Sequence, residues 1–108
     1  MTVQQISPIY LQHQLLDNPE AYFLLDVRES FEYQIASLKN SVLMPMNQIP
    51  ERFQELDKNQ PIAVICHHGM RSEQVAYYLV EQGFEKVFNL TGGIHAWANA
   101  CDEEMALY

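Results

Sequence analysis

Pro61-Ile62-Ala63-Val64-Ile65-Cys66-His67-His68-Gly69-Met70-Arg71-Ser72 contains the change of pattern on which the fold turns. Pro61 opens a continuous apolar run that ends at Cys66. From Ser72 to Gln82 the apolar residues Val75, Ala76, Leu79 and Val80 recur at helical spacing. A short apolar run between a proline and a glycine-bearing loop reads as a strand buried on both faces. A strand that passes through a short loop into a helix is the unit from which parallel sheets are built. Gly83 stands where such a helix takes a left-handed residue to stop.

The same alternation extends outward in both directions. Val3 to Ile6 reads as a short first strand, and Ser7-Pro8 as an N-cap followed by proline at the first helical position. That helix carries Ile9, Leu11, Leu15 and Leu16 on its apolar side and runs to Asp17, before Asn18-Pro19. Tyr22 to Val27 is a buried strand, and Ser30 caps a helix with Phe31 and Ile35. Ser41 to Met44 is a short strand stopped by Pro45. Asn47 to Leu56 reads as a helix, with Pro50 early and Phe53 and Leu56 facing in. Beyond Gly83, Lys86 to Leu90 is a strand, Thr91-Gly92-Gly93 a turn, and Ile94 to Asn99 a last helix. The pattern predicts an α/β fold, with a central, mostly parallel five-stranded sheet and helices on both faces.

Composition fits one such unit. The chain has 108 residues, 48% hydrophobic and 19% charged, without repeats or linker-like tracts, so residues 1–108 read as a single domain. Six Lys and Arg against fourteen Asp and Glu give a net charge of -8. That balance excludes a phosphate-neutralising nucleic-acid surface and disfavours an anionic membrane. The start, Met1-Thr2-Val3-Gln4-Gln5, has neither a basic nor an apolar leader region. The expected setting is therefore the cytoplasm, where an unpaired thiol stays reduced. Oligomeric state is not legible.

Cys66 falls at the carboxyl end of the most apolar strand, where ligands sit in open α/β sheets. The first-turn N–H groups of the following helix have no internal partners and favour an anion, including a thiolate. Gly69 lets the backbone curl so that N–H groups of the loop converge. Arg71, with His67 and His68 when protonated, adds positive charge. The segment from His67 through Gly69, Met70 and Arg71 to Ser72 thus reads as a cradle for a nucleophilic sulfur and a bound anion. The plainer alternative, Cys66 as a small hydrophobe ending a strand, leaves the glycine and the basic residues unexplained.

The other candidates read more as structure than as chemistry. Adjacent His67-His68 lacks the spacing of a metal site, and no metal or other cofactor is called for. Cys101 lies among the acids Asp102, Glu103 and Glu104, which favour its thiol form, and reads as a bystander. Asp26 and Arg28, at the end of a strand, read as supporting residues that pair with each other or add to the field near Cys66. Trp97 reads as packing for the last helix, His95 as solvated or hydrogen-bonded, and Tyr77-Tyr78 as split between surface and core.

Three segments in series resemble the rhodanese family of sulfurtransferases in its small single-domain form. They are Leu24-Leu25-Asp26-Val27-Arg28-Glu29 with Glu32-Tyr33, the Cys66 to Arg71 loop, and Leu90-Thr91-Gly92-Gly93-Ile94 through Trp97. The resemblance implies that Cys66 is a sulfur carrier. Its thiolate would take the outer sulfur of a small anionic donor such as thiosulfate, and a cyanide or thiol acceptor, small or a protein, would remove it. In place of the family's Gly-His-Ile-Pro-Gly-Ala stretch stands Ala36-Ser37-Leu38-Lys39-Asn40-Ser41, in which Asn40 still tolerates a left-handed backbone. Cysteine phosphatases and arsenate reductases of related fold place five residues between cysteine and arginine, whereas four stand here, a shorter cradle suited to one sulfur. A catalytically quiet binding module is the rival of a different class.

Overall fold

The computed structural model describes residues 2–108. Strand β1 (Gln4–Ile6) leads to helix α1 (Pro8–Asp17), and β2 (Phe23–Asp26) to α2 (Ser30–Ile35). Strand β3 (Val42–Leu43) is followed by a 3-10 turn, the short helix α3 (Ile49–Arg52) and a second 3-10 turn. Then come β4 (Ile62–Ile65), α4 (Met70–Glu81), β5 (Val87–Leu90) and α5 (Gly93–Cys101). The strands form one sheet in the order β1-β5-β4-β2-β3. Every pairing in it is parallel.

The central strands β4 and β2 alternate side chains between two cores. On one face Leu25, Ile62 and Val64 pack with Ile49 of α3 and with Val75, Ala76 and Leu79 of α4. On the other, Leu24, Ala63 and Ile65 pack with Leu11 of α1 and Ile94 of α5, with Trp97 partly buried against them. The two tyrosines of α4 divide as expected: Tyr77 is exposed, and Tyr78 packs against the first core. Ser7 caps α1 through its hydroxyl, which accepts from the Tyr10 N–H at 3.2 Å. Asn40 takes the left-handed conformation, with φ 69°.

Three local expectations fail, each for a physical reason. Helix α2 is capped by Glu29 rather than Ser30, and its N–H donates to the Glu32 carboxylate at 3.1 Å. Phe31 and Ile35 lie on the outside, 64% and 45% exposed, because the face turned inward carries Glu32, which is 5% exposed. The span expected as one helix from Asn47 to Leu56 breaks into a 3-10 turn, one turn of α3 and another 3-10 turn. Its start is tied back to the sheet, since the Met46 N–H donates to the Val27 carbonyl at 2.9 Å. Helix α4 begins at Met70, not Ser72, because Gly69 adopts φ +102° and serves as its N-cap. Ser72 therefore lies inside the first helical turn.

Candidate active site

Cys66 follows the last residue of β4 and is buried, 1% exposed. Its Sγ accepts from the Gly69 N–H at 3.0 Å and lies 3.3 Å from the Ser72 hydroxyl oxygen, whose single proton is donated to Asn89. Both contacts exist because the loop closes within four residues and helix α4 starts immediately after it. The N-terminus of α5 clamps the same loop from the other side. The Ile94 N–H donates to the Cys66 carbonyl at 2.8 Å, and the His95 N–H to the His67 carbonyl at 3.1 Å. Gly93, at φ +62°, makes that approach possible: a Cβ there would lie 2.4 Å from the His67 oxygen and 2.5 Å from the Cys66 oxygen.

A polar chain braces the loop from beneath. Asn89, 3% exposed on β5, donates through Nδ2 to the Gly69 carbonyl at 3.2 Å and to Gln5 Oε1 at 2.9 Å. Its Oδ1 accepts from the Ser72 hydroxyl. Gln5 in turn donates to Glu73 at 2.9 Å, so the chain runs from Cys66 to the surface of α4. Sequence reading missed Asn89. The available signal was an amide in the apolar strand Val87-Phe88-Asn89-Leu90, since a buried polar group requires partners.

The expected positive field is largely cancelled. Arg71, foreseen as the residue drawing an anion, is clasped by Glu32, with Nη1 and Nη2 2.8 and 2.9 Å from the two carboxylate oxygens. The Arg71 guanidinium, working against burial, holds the Glu32 carboxyl down to about 2. Arg28 adds no free charge either. It is fully buried and forms an ion pair with Asp26 at 2.6 Å. It also donates to the Ala36 carbonyl at 2.6 Å and to the Tyr108 hydroxyl at 2.8 Å. Asp26 and Arg28 thus occupy the paired, supporting arrangement. Glu32 and Tyr108, which link the two pairs through a 3.0 Å hydrogen bond, were not singled out as site residues.

His67 and His68 stand on the rim of the loop with ring centroids 3.9 Å apart, and Met70 points outward, 77% exposed. Burial first, and then the neighbouring His68, push His67 toward its neutral form. The structure adds a third ring that spacing does not reveal, His95 from α5, 5.1 Å from His68. Cys101 is not part of this cluster. It lines a groove of about 610 Å³ with Gln12, Leu15 and Trp97, and none of the residues from Cys66 to Ser72 borders that groove. Its thiol is pushed up by burial first and by Asp102 second, so the acidic tail anticipated from sequence is the smaller cause.

Residues 9–100 match the rhodanese-like domain family. The thiosulfate sulfurtransferase GlpE of Pseudoalteromonas translucida (strain TAC 125) is 38% identical over 92 residues, covering 85% of this chain and 87% of that protein. YrkF of Bacillus subtilis (strain 168) is 40% identical over 84 residues, 78% of this chain, but the chain spans only 45% of YrkF. A solved structure, the rhodanese-like domain protein from Staphylococcus aureus, superposes with a TM-score of 0.83 at 31% identity. That match covers 98% of this chain and 99% of the other. The parallel five-stranded sheet with helices on both faces is the fold these proteins share, and the chain belongs to the rhodanese-like family, the family of the GlpE sulfurtransferases.

Proposed function

We propose that the chain moves a sulfane sulfur from a small anionic donor such as thiosulfate to a nucleophilic acceptor, cyanide or a thiol, through a persulfide on Cys66. The Cys66 thiolate attacks the outer sulfur of thiosulfate; the new S–S bond forms as the old one breaks, and sulfite leaves with the bonding pair. The acceptor then attacks the terminal sulfur of the persulfide, and the Cys66 thiolate leaves in turn. No metal, redox partner or external proton source is needed for this balance when thiosulfate and cyanide are the reactants.

The observation that carries the reading is the Gly69 N–H donated to a buried Cys66 Sγ at the mouth of α4, with the Ser72 hydroxyl in contact with the same sulfur. The Gly69 N–H is fixed before reaction and aims at an atom that is anionic as thiolate and whose persulfide is anionic too; the Ser72 proton can turn to it from Asn89. In this proposal Cys66 is the catalytic residue, and the backbone from His67 to Ser72, including Gly69, Met70 and Arg71, forms the anion-binding loop. Asp26 and Arg28 hold the strand end and α2 in place. Cytoplasmic location belongs to the proposal as well; among the described residues no helix is long and apolar enough to cross a membrane.

Incubation with thiosulfate followed by intact-mass spectrometry tests the proposal. The expected result is a gain of one sulfur atom, reversed by cyanide with release of thiocyanate and absent from Cys66→Ser. No sulfur uptake from thiosulfate, or uptake that persists in Cys66→Ser, overturns it. In the first case the binding-module reading takes its place.

A further inference from the structure

The three imidazoles beside the Cys66 loop are not needed by the sulfur chemistry proposed above, yet the fold gathers them. His67 and His68 come from the loop after β4. His95 comes from the first turn of α5, which is held against that loop by the Ile94 and His95 N–H groups. The ring centroids are 3.9 Å apart for His67 and His68, 5.1 Å for His68 and His95, and 6.1 Å for His67 and His95. One nitrogen from each ring lies within 4.8 Å of the others. Tyr108 stacks flat on His67, with centroids 3.9 Å apart and planes 9° apart, and so fixes the plane of that ring.

A second observation points to a ligand. Nε2 of His67 and Nδ1 of His95 are buried and, among the described residues, have no hydrogen-bond partner. A ring nitrogen that has lost water and gained nothing is an unfavourable arrangement unless another species takes its lone pair. Both unpartnered nitrogens belong to rings of this cluster, and the exposed His68 supplies its third imidazole.

We propose that His67, His68 and His95 bind a divalent transition-metal ion, with Zn2+ as the ion the set suits. Three neutral imidazoles are a donor set that Zn2+ accepts, and they leave its fourth position open to water or an anion. Magnesium and calcium are disfavoured because this donor set holds no oxygen. Zinc–nitrogen bonds of about 2.0–2.1 Å in a tetrahedron put the nitrogens about 3.4 Å apart. The rings therefore need to close by at most roughly an ångström and a half, and the exposed side chain of His68 has room to move. Cys66 is not part of the group, since its sulfur is engaged by Gly69 and Ser72.

The full chain with Cys66→Ser and Cys101→Ser removes thiolates as competing ligands while keeping all three imidazoles. Titration with Zn2+ in a calorimeter, and with Co2+ as a spectroscopic probe, then reads the site. The expected result is one ion per chain, visible Co2+ bands of tetrahedral intensity, and no near-ultraviolet band from sulfur. His95→Ala on that background should weaken Zn2+ binding at least about tenfold, and so should His68→Ala, whose side chain is exposed and carries none of the core packing. Circular dichroism identifies a variant that has lost its fold, and the other variant then decides. Zn2+ affinity unchanged in the folded variants, no binding at all, or weak octahedral Co2+ bands overturns the assignment. Because this readout is made without Cys66, its failure leaves the persulfide reading standing, and failure of that reading leaves this one standing.

Discussion

Replacing Glu32 with glutamine keeps the shape of the side chain and removes its charge from the lock that joins α2 to the Cys66 loop. The carboxylate accepts from Arg71 at 2.8 and 2.9 Å, from the Tyr108 hydroxyl at 3.0 Å and from the Glu29 N–H at 3.1 Å. Glutamine offers one oxygen where two are used, and its NH2 turns a donor toward a donor. The Glu32 carboxyl is held at about 2 instead of its ordinary 4.5, by Arg71 first and against the opposing effect of burial. At about 1.36 kcal/mol for each tenfold change, that difference has a ceiling of about 3.4 kcal/mol. Arg71 is 37% exposed, so solvent screens the pair and the working figure is about half the ceiling, roughly 1.5–2 kcal/mol.

The sign follows from the direction of the shift. A carboxyl depressed in the folded state contributes its full stabilisation above the unfolded value of 4.5 and loses it as the pH falls toward about 2. Urea unfolding followed by Trp97 fluorescence should therefore show E32Q less stable than the parent by about 1.5–2 kcal/mol at neutral pH. The gap should narrow steadily once the pH drops below about 4.5. A neutral-pH gap under about 0.5 kcal/mol, or one that stays constant down to about pH 2.5, refutes the reasoning.

Gly93→Ala places a Cβ 2.4–2.5 Å from backbone atoms of Cys66 and His67 on a residue at φ +62°, so it should lower Tm by more than about 5 °C, read by thermal circular dichroism. A melt within about a degree of the parent would show that the α5 clamp gives way freely. Ser72→Ala removes the hydroxyl that touches Cys66 Sγ at 3.3 Å and can turn its proton from Asn89 to the anionic sulfur, and should reduce kcat/KM for thiosulfate about tenfold, the equivalent of one hydrogen bond to a charged sulfur. An unchanged kcat/KM would leave the Gly69 N–H as the sufficient donor.

What was legible in the sequence was whatever depends on periodicity along the chain. Val64 and Leu25 alternate with Ala63 and Leu24, and Val75, Ala76 and Leu79 recur at helical spacing, so strands, helices and the position of Cys66 followed directly. What was not legible depends on partners distant in sequence. Glu32 and Arg71 are 39 residues apart, Arg28 and Tyr108 80 apart, and nothing local announces either contact. Helix α2 was misread for the same reason. Its six residues are too few for apolar spacing to outweigh one buried carboxylate and its partners, and the helix turns to satisfy Glu32. The His95 ring was similarly invisible beside His67-His68 until α5 folded against the loop.

This long-range pairing also changes how an acidic protein meets an anionic donor. All three arginines are held by acids: Arg28 by Asp26, Arg52 by Glu55 and Arg71 by Glu32. The net charge of -8 is then opposed near Cys66 mainly by oriented backbone N–H groups, whose fields fall off within a few ångströms. Under the proposed function, a thiosulfate ion therefore approaches through a repulsive field and is held only on arrival. Screening the repulsion helps the approach and does little to the short-range contacts, since the Debye length shrinks to about 10 Å at ~0.1 M salt. Under this account kcat/KM for thiosulfate rises about twofold or more between roughly 0.02 and 0.2 M potassium chloride, while kcat stays nearly constant. Initial rates of thiocyanate formation across that range decide it. A fall with salt would mean that a free cation steers the donor, and the Arg71–Glu32 pair would then have to open during turnover.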